Sequence, residues 1–555
     1  MRSPSRIALG LFVSAAFTLP LWGQGTITDA PATFVRGTSP WDTSPDASFT
    51  GVSATLTQDH LFETGWWFRV AGGTQETFFP VPTTQNYTGT TSTNDWTDVG
   101  ALGLFSAQEV SVVKNTAGPS GFVTMTMKIT NLSAVNPLSI DVFHMADIDL
   151  AGAGSDSATL LYRNNHLRLT DPSGNVAEYR GVGAKAYLVR PFGATDVAAE
   201  LSNATVTDFN NTGVPFGPAD FTGGFQWTLT IPASGSRSVT AVIAVNDSLV
   251  RGDFGDDAKT DLLLRNSLFT KHVVWQMDGL TRTAGIVVTP DVADTNQRGV
   301  CTEDFTGDAV TDILFQNVTN GAVEIWAMGG ATGTDRQGSP VALTGTPTLP
   351  GTITDWSVAA CGDVDRDGKN DILWRNNATV AADPVNGQKL RVWLMNNEAW
   401  VADLIPTPNA AVDGNWQVTA LLDYDADGNT DFLWYNYTSG RIVQWVMDPV
   451  FVRTAGAFTS PNAAGDSNWK VVASGEYGRG AIDVNPTGAG DIIWRNENSG
   501  RIVGWLMDGV FTLPSGPGNT RVHGQFTCPV EVGGTCNPLD PPSGTATSWF
   551  IVGPR

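Results

Sequence analysis

The chain has 555 residues, of which 16% are charged, with 60 Gly, 19 Trp and a formal net charge of −23. So acidic a chain argues against nucleic acid or an anionic membrane surface as partner, because both are bound through clustered Lys and Arg, and it points toward bound cations. The length leaves room for about two to four domains, and abundant Gly with few charges suits an all-β chain of short strands better than charge-striped helices.

Arg2 and Arg6 precede an apolar run from Ile7 to Leu21 that gives way to small and polar residues around Gly23 to Gly25. This pattern predicts a secretory signal peptide over residues 1–24, and hence a secreted, extracellular or cell-surface protein. The run falls short of the roughly 20 residues a membrane span needs and contains Pro20, and no later segment reads as a span.

Residues 25–247 alternate β-rich runs with Gly, Asn and Pro turns, among them GWWFRV from Gly65, GFVTMTMKIT from Gly121, FQWTLTI from Phe225 and VTAVIAV from Val239. A β-sandwich fits best, of no family that the residues identify. His144, Asp147, Asp149 and Asp156 form the one chemical constellation here, since a His with alternating carboxylates can bind a metal or move protons. It lacks a second His and a known metal spacing, so a structural or turn role is expected. Trp66, Trp67 and Trp96 are expected in the core rather than as platforms for sugar stacking. The five His, at 60, 144, 166, 272 and 523, suggest no catalytic or zinc triad.

The boundary is expected between Asn246 and Gly252, so that residues 248–555 form a second domain. Five segments of it align: Asp253 to Met277, Asp304 to Met328, Asp363 to Met395, Asp423 to Met447 and Asp483 to Met507. Each opens with a nine-residue acidic loop, continues in an apolar strand such as DILWRN from Asp371, and ends in a strand carrying Trp-x-Met. The Trp and Met, at 275/277, 326/328, 393/395, 445/447 and 505/507, are two residues apart and so share one face of a strand, where a core role is expected. A further strand precedes the loop, as in WSVAA from Trp356, WQVTA from Trp416 and WKVVA from Trp469. It recurs as WFIVG from Trp549, just where it could complete the first repeat, which has no clear Trp strand of its own. Fixed repeats of this kind predict a β-propeller, five-bladed with closure by a terminal strand; a six- or seven-bladed ring and an open array are the alternatives.

The loops carry the expected chemistry. In the third and fourth, carboxylates fall at positions 1, 3, 5 and 9: Asp363, Asp365, Asp367 and Asp371, then Asp423, Asp425, Asp427 and Asp431. Ca²⁺ takes six to eight oxygens at about 2.3–2.6 Å, and alternate residues of a tight loop can supply them. Lys369 and Asn429, at position 7, would add backbone carbonyls, and Gly368 and Gly428, at position 6, would permit the bend. The second loop keeps Asp304, Thr306, Asp308 and Asp312, and the first keeps Asp253, Asp257 and Asp261. In the fifth, Asp483, Asn485 and Asp491 fit the spacing, although counting from Trp469 makes Glu476 an alternative opening residue followed by an insertion. Position 12 holds Trp374 or Trp434 where an EF-hand needs Glu. About two to five Ca²⁺ ions are expected in all. Cys528 and Cys536 enclose a short loop that a disulfide would staple, while Cys301 and Cys361, at nearly matching places in neighbouring repeats, three and two residues before a loop Asp, either pair or stay as buried thiols.

From Asp253 to Arg555 the repeats, DVDRDGKNDILW above all, resemble the FG-GAP/VCBS repeats of integrin α-subunit propellers and of secreted bacterial proteins. The resemblance implies a propeller with Ca²⁺ held in loops between strands of a blade, and binding to a glycan or protein outside the cell as in adhesion. Such a binding module, more an interaction protein than an enzyme, is the leading expectation. A polysaccharide lyase or glycosidase with its site in the first domain or at the junction is the second, and a structural surface or matrix protein the third.

Overall fold

In the computed structural model the described residues are 25–36, 47–477, 490–508, 519–526 and 549–555, apart from positions 117, 118, 151, 153, 163, 164, 267, 269, 331, 412 and 426. The signal-peptide segment, Asp483, Asn485, Cys528 and Cys536 lie outside them. The chain is almost wholly β: among the described residues the one α-helix is Val197–Ser202, opened by Asp196, whose side chain accepts the Ala199 amide. None of the described helices is long and apolar enough to cross a membrane.

The first half is built mainly from two antiparallel sheets. One has the spatial order Ala186–Pro191, Phe221–Ile231, Leu138–Asp147, Glu63–Val70, Thr77–Phe78. The other has nine strands, with Val176–Val182, Ser236–Val245, Gly121–Asn131 and Phe105–Asn115 at its centre. Strand periodicity explains how they meet. In Gly121–Asn131, Val123, Met125, Met127 and Ile129 point one way and are fully buried in one cluster with Trp66, Phe68, Val142 and Trp227 of the first sheet. The first sheet is covered on its other face too, where Trp67, Phe143 and Met145 pack under Ala198, Leu201 and Phe209. Trp66, Trp67 and Trp96 are all buried.

The second half contains five four-stranded antiparallel sheets, one per repeat. The second to fifth start at Gln297–Glu303, Trp356–Gly362, Trp416–Leu422 and Trp469–Gly475. Each of these strands leads through the loop into a strand opening on the ninth loop Asp, then into the strand that carries the Trp; the Met follows on that strand except in the second repeat, where Trp326 ends Val323–Trp326 and Met328 opens Met328–Gly329 in a separate two-stranded sheet. The first sheet takes Leu262–Asn266, His272–Asp278 and Thr281–Val287 from its own repeat, and its fourth place is filled by Trp549–Gly553. The register is shared: Trp549 faces Asn266 just as Trp356 faces Asn376, Trp416 faces Asn436 and Trp469 faces Asn496.

Each sheet shares an apolar cluster with the next. Val274 of the first meets Phe315 and Met328 of the second, Leu314 of the second meets Trp374 and Met395 of the third, and Leu373 of the third meets Trp434 and Met447 of the fourth. Leu433 of the fourth meets Trp494 and Met507 of the fifth, and Ile493 and Leu506 of the fifth meet Trp275 and Met277 of the first. All five Trp-x-Met pairs are buried in these clusters. In four repeats the residue opposite the Met is an Arg that lies over the Trp, Arg282 over Trp275, Arg336 over Trp326, Arg453 over Trp445 and Arg521 over Trp505, whereas in the third Trp400 takes that register position.

Cys301 and Cys361 pair, with Cα atoms 6.2 Å apart, and so tie the starting strands of the second and third sheets. Both follow a register shift in their strand. Cys301 stands opposite Leu314, two residues past the ninth loop Asp, and Cys361 opposite Ile372, one past it, so the two side chains leave opposite faces of their sheets and meet between them.

Candidate metal-binding loops

The ninth loop aspartate has the same partners in every repeat. One oxygen accepts the amide of loop position 2: Phe254 to Asp261 at 3.0 Å, Phe305 to Asp312 at 3.0 Å, Val364 to Asp371 at 2.9 Å, Tyr424 to Asp431 at 2.9 Å. The other accepts the amide of the repeat's Met: Met277 at 2.9 Å, Met328 at 3.0 Å, Met395 at 2.8 Å, Met447 at 2.9 Å. Asp491 follows suit, accepting from Tyr477 at 2.8 Å and Met507 at 2.9 Å. This places Tyr477 at position 2 of the fifth loop and Glu476 at position 1, in keeping with the alternative count from Trp469; Asp483 and Asn485 lie outside the described residues.

The opening aspartate folds the loop onto itself. Asp304 accepts from Gly307 at 2.6 Å and Ala309 at 2.9 Å, Asp363 from Arg366 at 2.7 Å and Gly368 at 3.0 Å, and Asp423 from Gly428 at 3.0 Å. Position 6 is left-handed in all four loops described there, with φ of 63° at Ala258, 65° at Ala309, 84° at Gly368 and 86° at Gly428. The bend expected for Gly is thus also held by two alanines.

Three loops gather carboxylates at one point. Ligand atoms of Asp304, Asp308 and Asp312 lie within 4.8 Å of one another, as do those of Asp363, Asp365 and Asp371, and of Asp423, Asp425 and Asp431. Asp367 and Asp427 are not part of these groups. Each accepts the amide two residues on, Lys369 at 2.8 Å and Asn429 at 2.7 Å, a turn that Asp257 and Asp308 make as well, with Lys259 at 3.1 Å and Val310 at 3.0 Å. In the second loop position 3 is Thr306, and Asp308 at position 5 takes the vacant corner.

Asp253, Asp257 and Asp261 form no such group among the described residues. There Lys259 brings its ammonium to 3.5 Å from both Asp257 and Asp278, so a side-chain cation offsets the loop's charge.

Burial, reinforced by neighbouring carboxylates, drives Asp312, Asp371 and Asp431 well above the usual carboxylate range. The same causes lift Asp363 to about 7 and Asp367 to about 8. The donors are all oxygens, which suits a hard cation. The side-chain oxygen of Asn429 is buried without a hydrogen-bond partner among the described residues, one more donor beside the fourth loop.

These loops face the first half of the chain. Ala309 packs against Phe122, Val182 and Val242, the open space above Gly368 is closed by Thr240, and Gly428 meets the backbone of Gly183. A cavity of about 220 Å³ remains between the halves, lined by Arg180, Glu303, Asp304, Asp363 and Asp423 among others. Arg251, from the connecting segment, reaches its floor: it pairs with Glu303 and donates to the carbonyls of Cys361 at 2.9 Å and Leu421 at 2.7 Å.

His144 is fully buried and engaged by Tyr179 at 2.7 Å and Thr64 at 3.0 Å, on the opposite face of its strand from Asp147. It takes no part in a metal group. Asp147 and Asp149 do come together, with Asp220 rather than a His as third member. Sequence reading missed Asp220, which is far away in the chain and carries no motif.

The fold and its loops define a class: an all-β protein of repeated acidic loops. No protein-family model matches the chain, and no curated protein matches it. Among solved structures, a putative kojibiose phosphorylase from the human microbiome aligns over 40% of this chain and 29% of its own length, at 7% identity and a TM-score of 0.22. Porphyromonas gingivalis dipeptidyl peptidase 4 aligns over 88% of this chain and 58% of its own, at 8% identity and a TM-score of 0.19. The chain spans less than two thirds of either, and at those TM-scores neither likeness bears on fold or activity.

Proposed function

We propose that this chain is an exported Ca²⁺-braced binding module. In this reading residues 248–555 form a five-bladed propeller of FG-GAP/VCBS type, closed by Trp549–Gly553, and residues 25–247 form a β-sandwich docked on its loop face. The closure is supported by the shared Trp–Asn register of the first sheet and by the cluster joining the fifth sheet to the first. The observation that carries the metal reading is the recurrence of three converging carboxylates in three successive repeats. In the third and fourth loops the carbonyls of Lys369 and Asn429 complete the set. Because these loops are turned toward the first half, the ions brace the scaffold and its domain junction, and an extracellular glycan or protein is bound elsewhere on the surface.

A glycan array and a panel of secreted proteins, each probed with Ca²⁺ and with chelator, test this reading together with a depolymerisation assay. Ca²⁺-dependent binding without cleavage is expected. Turnover of a polysaccharide would overturn the binding-only assignment.

A further inference from the structure

Asp147 closes strand Leu138–Asp147 and stands directly opposite Glu63 on one neighbouring strand and Thr222 on the other. Two acids paired across strands repel, the more so when both are buried as here, with 2% and 3% exposure. Asp149 and Asp220 bring their oxygens within 4.8 Å of that of Asp147. Asp156 is fully buried and close enough for its charge to act with those of Asp149 and Asp220. The charges acting on Asp147 are those of Asp149, Asp220, Glu63 and Asp196, all acidic. Its Oδ1 is buried with no hydrogen-bond partner among the described residues. A buried carboxyl in that state must either hold a proton or meet a cation.

The site lies where the chain twice crosses between sheets. Residues 148–155 lead from Leu138–Asp147 in one sheet to Asp156–Tyr162 in the other, and Asp220 alone separates Phe216–Ala219 from Phe221–Ile231. The crossings run side by side, since Asp156 pairs with Ala219 and Asp147 with Thr222.

We infer that Asp147, Asp149 and Asp220, backed by Asp156 and Glu63, bind a hard divalent cation of the Ca²⁺ class that clasps the two sheets of the first half at this crossing. The donors are carboxylate oxygens and no His of the described residues belongs to the group, which favours a hard cation over a softer metal. This site is independent of the repeat loops.

The test is the number of Ca²⁺ ions retained per full-length chain after metal stripping and equilibrium dialysis. The variant Asp147→Asn/Asp220→Asn is expected to hold one ion fewer than wild type, while keeping the ions lost by Asp365→Asn. In chelator Asp147→Asn is expected to melt higher than wild type, because it removes an acid that the metal-free fold holds only at the cost of protonating it or burying its charge among other acids. Crystals of the wild-type chain grown with Ca²⁺ supply a measurement that needs no variant: an anomalous peak about 2.3–2.6 Å from the oxygens of Asp147, Asp149 and Asp220 is expected. An unchanged ion count in the double variant, or no peak there in crystals whose repeat loops show peaks, would overturn the inference.

Discussion

Gly428, in the fourth acidic loop, meets Gly183, in the first half of the chain, backbone to backbone: a Cβ on Gly428 would lie 2.2 Å from the Gly183 carbonyl oxygen. The loop and its docking partner are therefore matched at a place where neither can carry a side chain. Gly428→Ala should cost more than the backbone strain of its φ of 86° alone, which is worth about 1–2 kcal/mol. Gly72, with φ of 85° and open space around it, is the control. Urea unfolding should show Gly428→Ala losing distinctly more stability than Gly72→Ala, with faster proteolysis near residues 246–252. Equal losses would mean that the two halves do not dock through this loop.

Asp371 and Asp365 share a carboxylate group but differ in what else they hold. Asp371 also accepts the amides of Val364 and Met395, so Asp371→Asn leaves one buried amide facing an NH₂ and should destabilise even the metal-free chain by about 1–3 kcal/mol. Asp365→Asn should change the metal-free chain little and act chiefly on Ca²⁺ affinity. Denaturant titrations in chelator check this; identical curves for the two variants would remove the structural role of Asp371.

The Cys301–Cys361 bridge closes 60 residues of chain. On the loop-entropy account a cross-link of that span stabilises by about 4 kcal/mol. Cys361→Ser should lower the unfolding midpoint under oxidising conditions and make the midpoint less sensitive to reductant than that of wild type.

His272 is buried against Phe315, 5.2 Å between ring centres, and burial lowers its pKa to about 3. The folded state thus favours the neutral ring. Its contribution is complete above the unfolded value of about 6.5 and is lost as pH falls toward 3, at up to about 1.4 kcal/mol per pH unit. His272→Phe should flatten the loss of stability between pH 6.5 and 4 relative to wild type, measured in chelator so that metal release does not contribute.

Much of the second half was legible because its repeat is local. Position in the loop, the two-residue Trp–Met spacing and the strand before the loop all lie within one unit, and each maps onto one sheet. The parts that were not legible depend on pairing across variable hairpins or distant chain. The residues opposite the Met lie after turns of differing length, and Lys259 reaches Asp278 outside its loop as well as Asp257 within it. Asp220 joins Asp147 only because two sheet crossings run side by side. In the fifth repeat the acidic spacing and the count from Trp469 point to different opening residues, and the Tyr477 amide on Asp491 favours the count.

The most direct test of the Ca²⁺-braced scaffold is thermal unfolding of the metal-stripped full chain, with and without added Ca²⁺, for wild type and for the triple variant Asp308→Ala/Asp365→Ala/Asp425→Ala. A cation that binds only the folded state raises its midpoint. The wild-type midpoint should rise with Ca²⁺ and most of that rise should vanish in the triple variant, whereas a wild-type midpoint indifferent to Ca²⁺ would contradict the account.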